Sequence, residues 1–254
     1  MTSLSGTLCH GTLDTIVERG NLTEVTSADG GPLIELVSEA FGPVGEARVF
    51  SGERVAKAVY VGLAVPAIGL DSHMVFAFSP AGVPVPHFTL DSVFGQGTYA
   101  FHLDLIPRVD IGTHLSYLDW AHTPLDATFD EVTSRPGLTK TAIGPRQFSL
   151  MSPWMLVQRA DEEAFRGMDG AVKSYLDHWF SLVEGEVPDA VLADVSDTDL
   201  PTRDERNRAL VFSPDVDKVW AQVEQLIGAE QTEAVRTLLL DNTLPQVPGK
   251  AVTA

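Results

Sequence analysis

Residues 73–110, HMVFAFSPAGVPVPHFTLDSVFGQGTYAFHLDLIPRVD, constrain the fold of this chain more than any other stretch. Val, Phe, Tyr, Thr and Leu dominate it, which favours strands, and Pro84, Pro86, Gly95 and Gly97 mark where those strands end. A strand sends alternate side chains to opposite faces, so His102 and Asp104 share one face and Phe101, Leu103 and Leu105 take the other. With His73, His87 and Asp91 on neighbouring strands, one face of the sheet carries titratable groups where a plain core would carry hydrocarbon. Burying such groups is costly unless they are paired, hydrogen-bonded or in a wet pocket. The pattern points to a site.

The rest of the chain must supply a core that frames this sheet. Of 254 residues 44% are apolar, and mean hydropathy is +0.07, enough for a sizeable interior. No internal repeat or long linker divides the chain, so one domain over residues 1–254 is expected. No segment approaches the roughly 20 unbroken apolar residues of a membrane span, and the N-terminus has no basic start followed by an apolar run. Cys9 is the single cysteine, which rules out an intrachain disulfide and any multi-cysteine metal site. A cytoplasmic setting is expected. Asp and Glu number 35 against 17 Lys and Arg, a net charge of −18 that repels nucleic acid and anionic membranes.

Two helices are predicted at the start, TLDTIVERG and PLIELVSEAFG, each with apolar residues at three- and four-residue spacing and each closing on glycine. Strands follow in EARVF, RVAKAVYVGLA, SHMVFAFS, PHFTLDSV and TYAFHLDLIPR, with SPWMLVQRA after a loop-rich stretch around TSRPGLTK. The connections are too short for parallel crossovers, so the neighbours are antiparallel. The remainder reads as helix: one long helix over 160–185, an Asp-rich loop over 187–201, a helix in RDERNRALVF, and two more meeting at Gly228. Helices on both sides of such a strand block make an α+β fold, a three-layer α/β/α sandwich with a central, mainly antiparallel sheet.

HMVFAFSPAGVPVPHFTLD resembles the active-site strands of the ferredoxin-dependent bilin reductases, which carry a His and, about 17 residues on, a Phe-x-x-Asp or Phe-Gly-x-Asp; here His73 and Asp91 stand 18 apart. FHLDLIPRVD is similar to a Leu-Asp-Leu-Pro-Pro-Arg-Lys-Asp pattern in the related red chlorophyll catabolite reductases. The resemblance spans residues 46–240. It implies a two-electron reduction of a linear tetrapyrrole, either a biliverdin-type bilin or an opened chlorophyll catabolite, with single electrons from reduced ferredoxin and no bound cofactor. It maps a propionate-holding Arg onto Arg159 and a pigment-facing Asp onto Asp204. The family's propionate-binding Lys is here Glu205, so Arg206 or Arg208 would substitute.

Chemistry of this kind rests on proton supply. A carboxylic acid lifted by apolar walls can protonate the pigment near neutral pH, and a His already titrates there. Asp91 is the expected proton donor, His73 its partner in a shared pocket, and Asp204 a second acid, although an Asp in a helix as charged as RDERNR commonly faces solvent. His87 and His102 are candidate pigment contacts. With Asp104 they also invite a metal reading, yet their spacing matches no metal motif and none is expected. Asp104 is expected to fix the strand end or the neighbouring turn. A non-catalytic pigment carrier that kept the pocket is the competing function. For an acidic ferredoxin to dock on so acidic a chain, Arg159, Arg203, Arg206 and Arg208 would have to gather at the pocket mouth.

Overall fold

The strands from residue 42 to 106 alternate in direction because the links between them are short. The structure is a computed structural model describing residues 3–141 and 143–246. Its strands are β1 (Thr23–Val25), β2 (Ile34–Ser38), β3 (Gly42–Ser51), β4 (Lys57–Val65), β5 (Leu70–Phe78), β6 (His87–Gly95), β7 (Thr98–Ile106), β8 (Leu138–Lys140) and β9 (Leu156–Ala160). All nine join one antiparallel sheet in the order β1-β3-β4-β5-β6-β7-β9-β8, with β2 pairing β3 beyond β1. The tightest link is the Gln96–Gly97 turn, where φ of 53° and 77° matches the right-handed twist of the flanking strands.

Helices cover both faces: α1 (Leu4–Gly20), α2 (Leu115–Ala121), α3 (Asp126–Thr133), α4 (Pro145–Phe148), α5 (Glu162–Arg166), α6 (Asp169–Glu184), α7 (Asp189–Asp194), α8 (Leu200–Val211) and α9 (Val219–Leu240). The fold is therefore the expected α+β sandwich. On one side, here the N-terminal face, Leu13 and Ile16 of α1 and Tyr175, Trp179 and Phe180 of α6 pack on Phe88, Leu103 and Leu105. On the other, the C-terminal face, Phe212, Trp220, Leu238 and Leu239 cover Val59, Val61, Phe76, Phe78 and Ile106. Each such side chain taken fully out of water contributes about 1.5–3 kcal/mol.

Five predicted elements differ. PLIELVSEAFG is not a helix: Ile34–Ser38 pairs with β3, and its inward residues Leu36 and Ser38 alternate with exposed ones. Apolar spacing in so short a segment fits either period, and Pro32 together with the left-handed Gly42, φ 73°, decides for a hairpin. The opening helix begins eight residues earlier than predicted, because Ser3 caps it by accepting from Gly6 N–H at 2.9 Å. The long helix over 160–185 breaks at Gly167 into α5 and α6, and the Asp-rich loop contains α7. The last two predicted helices are continuous but for Gly228, whose φ of 80° and ψ of 162° are non-helical.

The C-terminal end of α9 is clamped. Buried Arg208 donates to Leu239 O, Asp241 O and Asn242 Oδ1, its guanidinium 3.7 Å from the Phe78 ring centroid. Buried Lys57 donates to Asp241 O and Thr243 O, and burial first, then the Arg208 charge, lowers its pKa to about 8. Edge strand β2 is closed by a side chain: Gln231 exchanges two hydrogen bonds with the Val37 backbone.

Candidate active site

The alternation of β6 and β7 builds the site. His87, Thr89, Asp91 and Val93 point to the C-terminal face, and the register sets Asp91 opposite His102 on β7 and opposite Met74 on β5, with Thr89 opposite Asp104. His102 Nδ1 lies 3.4 Å from Asp91 Oδ2. Burial pushes the His102 pKa down, but the Asp91 hydrogen bond and the charges of Asp91, Asp104 and Asp217 outweigh it and hold the imidazole above its ordinary value. Asp104 is pushed up to about 6 by burial, opposed by His102 and by its bonds from Ser152. Asp217, at the start of α9, is raised by burial, and the neighbouring Asp91 charge adds to the shift. A His and two carboxyls, all with raised pKa values, thus lie around Asp91.

Hydrogen bonding is incomplete here. Thr89 Oγ1, Asp91 Oδ1, His102 Nε2 and Thr141 Oγ1 are buried without a hydrogen-bond partner. Thr141 joins this group through its N–H to Val157 O, and Val157 pairs with His102. Unpaired buried polar atoms are uncommon in proteins, and each calls for an explanation; the N-terminal face has its own, Ser5 Oγ, Asp71 Oδ2 and Ser92 Oγ, but here they include both members of an Asp–His pair. Next along the strands, a cavity of about 450 Å³ opens between the sheet and the first half of α9, reaching from Ser72 and Val93 to Val219 and Leu226. Val93 follows Asp91 by one repeat on the same face, so the cavity opens next along β6 from the Asp91–His102 pair, although neither Asp91 nor Asp217 lines it.

The expected site residues divide sharply. His73 does not share a pocket with Asp91. The register places it opposite Ser92, on the N-terminal face, where Nδ1 meets Tyr60 Oη at 2.7 Å and Nε2 meets Asp71 Oδ1 at 3.0 Å; Tyr60 Oη also meets His10 Nε2 at 3.1 Å. The residue in register with Asp91 is Met74, one position on, and a single-residue offset moves a strand side chain to the other face. Gly62 is required beside this chain, because a Cβ there would collide with the Tyr60 hydroxyl.

Asp204 is not on a solvated helix face. It is 6% exposed and takes the His87 Nε2–H at 2.6 Å, with Arg108 Nε at 3.5 Å and Arg208 Nη1 at 3.7 Å. Burial would raise its pKa, but the His87 bond and the two arginines bring it down to about 2, so it is a carboxylate at neutral pH and cannot give up a proton there. His87 is neutral, lowered to about 3 by burial and the Arg108 charge, and its Nδ1 accepts Ser79 N–H. Both ring nitrogens are engaged, so His87 has none left for a pigment. Arg208 is committed to the α9 clamp, and partly buried Arg203 to Pro107 O, whereas Arg159 and Arg206 are exposed. The four arginines therefore do not form one patch. Asp104 takes both Ser152 N–H and Oγ–H, so it holds the distant turn before β9 rather than the end of its own strand or the turn next to it. Among the described residues no His, Cys, Asp and Glu side chains are grouped to hold a metal ion, and no helix is long and apolar enough to cross a membrane.

Sequence reasoning missed Thr89, Asp217 and the cavity. Thr89 had a signal, the strand alternation that links His87 to Asp91; Asp217 had none, since SPDVDKVW reads as an ordinary helix start.

This sandwich belongs to a known class of fold. It matches the crystal structure of phytochromobilin synthase from tomato, solved in complex with biliverdin, with a TM-score of 0.70 and 16% sequence identity, over 92% of this chain and 82% of that one. No protein-family model and no curated protein matches the sequence. At 16% identity the likeness establishes the fold, and the chemistry has to be argued from the side chains.

Proposed function

We propose that this chain binds a linear tetrapyrrole on the C-terminal face of its sheet and reduces it by two electrons. The electrons arrive singly from an external reduced ferredoxin, with no cofactor resident in the chain. The single observation that carries the reading is the Asp91–His102 pair, with unsatisfied polar atoms around it, at the edge of a largely apolar cavity. The phytochromobilin synthase match, a protein that holds biliverdin, supports a bilin over other small molecules.

In this reading each added electron makes a pigment ring more basic, and Asp91 transfers a proton to it. His102, whose hold on its proton is strengthened by the carboxylates around it, reloads Asp91, and that proton is replaced from solvent. General acid catalysis of this sort contributes typically ~10²–10⁴-fold. Asp204 serves as a fixed anion that orients His87, Arg108 and Arg208 and so sets the floor of the site; it is a positioning residue. Exposed Arg159 and Arg206 are the candidates for pigment propionates or a donor protein. The pigment is biliverdin-like or an opened chlorophyll catabolite.

A second reading, a pigment carrier without turnover, draws on one specific observation: Met74 stands opposite Asp91 where the resemblance calls for a His. One experiment separates the two. Purified protein mixed with biliverdin should give a shifted, structured visible spectrum, and an anaerobic reduced-ferredoxin system should then bleach or shift it with turnover that slows as salt rises. Binding without turnover supports the carrier, and no spectral change refutes both.

A further inference from the structure

Thr89 is the one hydroxyl that β6 presents to the C-terminal face, and the fold does not call for it. The side chain is fully buried and Oγ1 has no hydrogen-bond partner. A Val would fill the same space and suit a strand as well, without burying an unpaired hydroxyl. The Phe-x-x-Asp pattern leaves this position open, so the hydroxyl is a feature of this chain. Its neighbours on the same face follow from the register. Phe76 of β5 and Asp104 of β7 lie directly opposite, and His102, two residues from Asp104, lies on the diagonal. Asp104 receives both its hydrogen bonds from Ser152, but each carboxylate oxygen has room for a further donor. His102 turns Nδ1 to Asp91 and keeps Nε2 buried and unpaired. Thr89 Oγ1, the Asp104 carboxylate and His102 Nε2 therefore stand at the corners of a triangle, their strand positions about 5–8 Å apart. Three polar groups so spaced, making no direct hydrogen bond to one another, suit one shared water.

We infer that Thr89 is a positioning residue: with Asp104, its hydroxyl holds a water against His102 Nε2, and that water passes a proton into the ring. The inference rests on the tetrapyrrole reading above. Two electrons require two protons at the pigment. Asp91 gives the first and is left as a carboxylate. The Nδ1 proton of His102 then crosses to Asp91, the water gives a proton to Nε2 in return, and the water is reprotonated from solvent. Asp91 can now give the second proton, and the ring keeps its charge with a proton moved from one nitrogen to the other. Orientation is what the two side chains supply. Asp104 accepts one O–H of the water and Thr89 donates to its oxygen, which leaves the other O–H directed at Nε2. Without the hydroxyl, Asp104 alone holds the water, and its second O–H is free to turn from the ring.

The test compares the full chain with Thr89→Val, which removes the hydroxyl and keeps the shape, and Thr89→Ser, which keeps the hydroxyl. Each is loaded with biliverdin and reduced anaerobically by a ferredoxin system, one electron at a time, with absorption and electron paramagnetic resonance as readouts. Thr89→Val should bind biliverdin as the parent does and accept the first electron at the parent rate. It should then complete the reduction about tenfold more slowly, the effect of one water-mediated hydrogen bond, so that the signal of the one-electron-reduced pigment accumulates. Thr89→Ser should behave as the parent. If Thr89→Val matches the parent in both steps, or Thr89→Ser is as slow as Thr89→Val, the inference is overturned with the tetrapyrrole reading intact. If the parent neither binds nor reduces biliverdin, that reading fails, and nitrogen-15 NMR of the histidine-labelled chain without pigment decides the water site by itself. The His102 Nε2 resonance should move in Thr89→Val and stay in Thr89→Ser; an unmoved resonance in Thr89→Val overturns it.

Discussion

The two faces of the sheet carry similar side chains and use them in opposite ways. On the N-terminal face His10, Tyr60, His73 and Asp71 form a continuous hydrogen-bonded chain beneath α1 in which both ring nitrogens of His73 are occupied, although Asp71 Oδ2 and the neighbouring Ser92 Oγ are left without a partner. On the C-terminal face Asp91 and His102 touch each other but leave Asp91 Oδ1 and His102 Nε2 unpaired. A histidine with both ring nitrogens paired holds a fold together, whereas one that keeps a nitrogen unpaired near a cavity is prepared for a partner. Residue type does not tell these apart; the accounting of donors and acceptors does.

The strongest attempt to break this contrast exchanges one residue on each face. Asp91→Asn should keep pigment binding and lower kcat by about 10²–10⁴-fold, since an amide holds the shape but supplies no acidic proton. His73→Gln should cost some stability and leave turnover near that of the parent. Single-turnover absorption measurements decide it, and a His73→Gln variant that binds pigment normally but fails to reduce it would reverse the assignment of faces.

Next in size is the clamp under the C-terminal face. Arg208→Leu removes a buried cation from Asp204, deprives the Leu239 carbonyl of its Arg208 donor and leaves Asp241 O with Lys57 alone, and should lower stability by about 3–5 kcal/mol, read as a shift in the urea midpoint. A shift like that of an exposed arginine such as Arg206 would show that Asp204 and the α9 terminus do not depend on it.

Acid sharpens the comparison, because each face hides a neutral histidine. His87 and, on the N-terminal side, His122 are both lowered to about 3 by burial, against 6.5 for a free side chain. Between those values the unfolded chain binds more protons, so their contribution is complete above pH 6.5 and is lost as pH falls toward 3. Asp104, raised to about 6, acts in the opposite sense: its contribution is present below 3.8 and lost as pH rises through 6. Asp217 and His102, also raised, act in the same sense as Asp104, so the histidine contribution is read at His122 alone. His122 is fully buried with neither ring nitrogen paired, so in His122→Phe the gain in Tm over the parent should grow from pH 7 to pH 4. A constant gain would mean that His122 does not titrate on unfolding.

The smallest effect falls at the hairpin. Gln96→Asn should stabilise the fold by about 0.5–1 kcal/mol by easing a left-handed backbone, and should weaken pigment binding by shortening the carboxamide. Greater stability with unchanged affinity would detach Gln96 from the cavity.

Much of the fold was legible because its strands are long and its turns carry Gly or Pro; β6 and β7 were read almost to the residue. β2 was misread because five residues of IELVS satisfy helical and strand spacing equally, and only pairing with β3 settles which applies. The site was legible where one strand determines it, as in the shared face of His102 and Asp104. It was illegible where two strands must be aligned, since the choice between His73 and Met74 opposite Asp91 depends on register. Asp204 shows the same limit: its partners His87 and Arg108 lie about a hundred residues away in the chain, so a charged helix concealed a buried anion.

The break at Gly228 divides the labour within α9. Residues after it carry the Gln231 seal on β2 and lead into the end held by Lys57 and Arg208, while residues before it form the cavity wall with Val219, Gln222 and Leu226. A helix without that interruption would transmit any change at one end to the other. Here the wall can be resized or repolarised by substitutions confined to its nine residues, with the anchors untouched, so ligand preference and fold stability can evolve as nearly independent traits in a single helix.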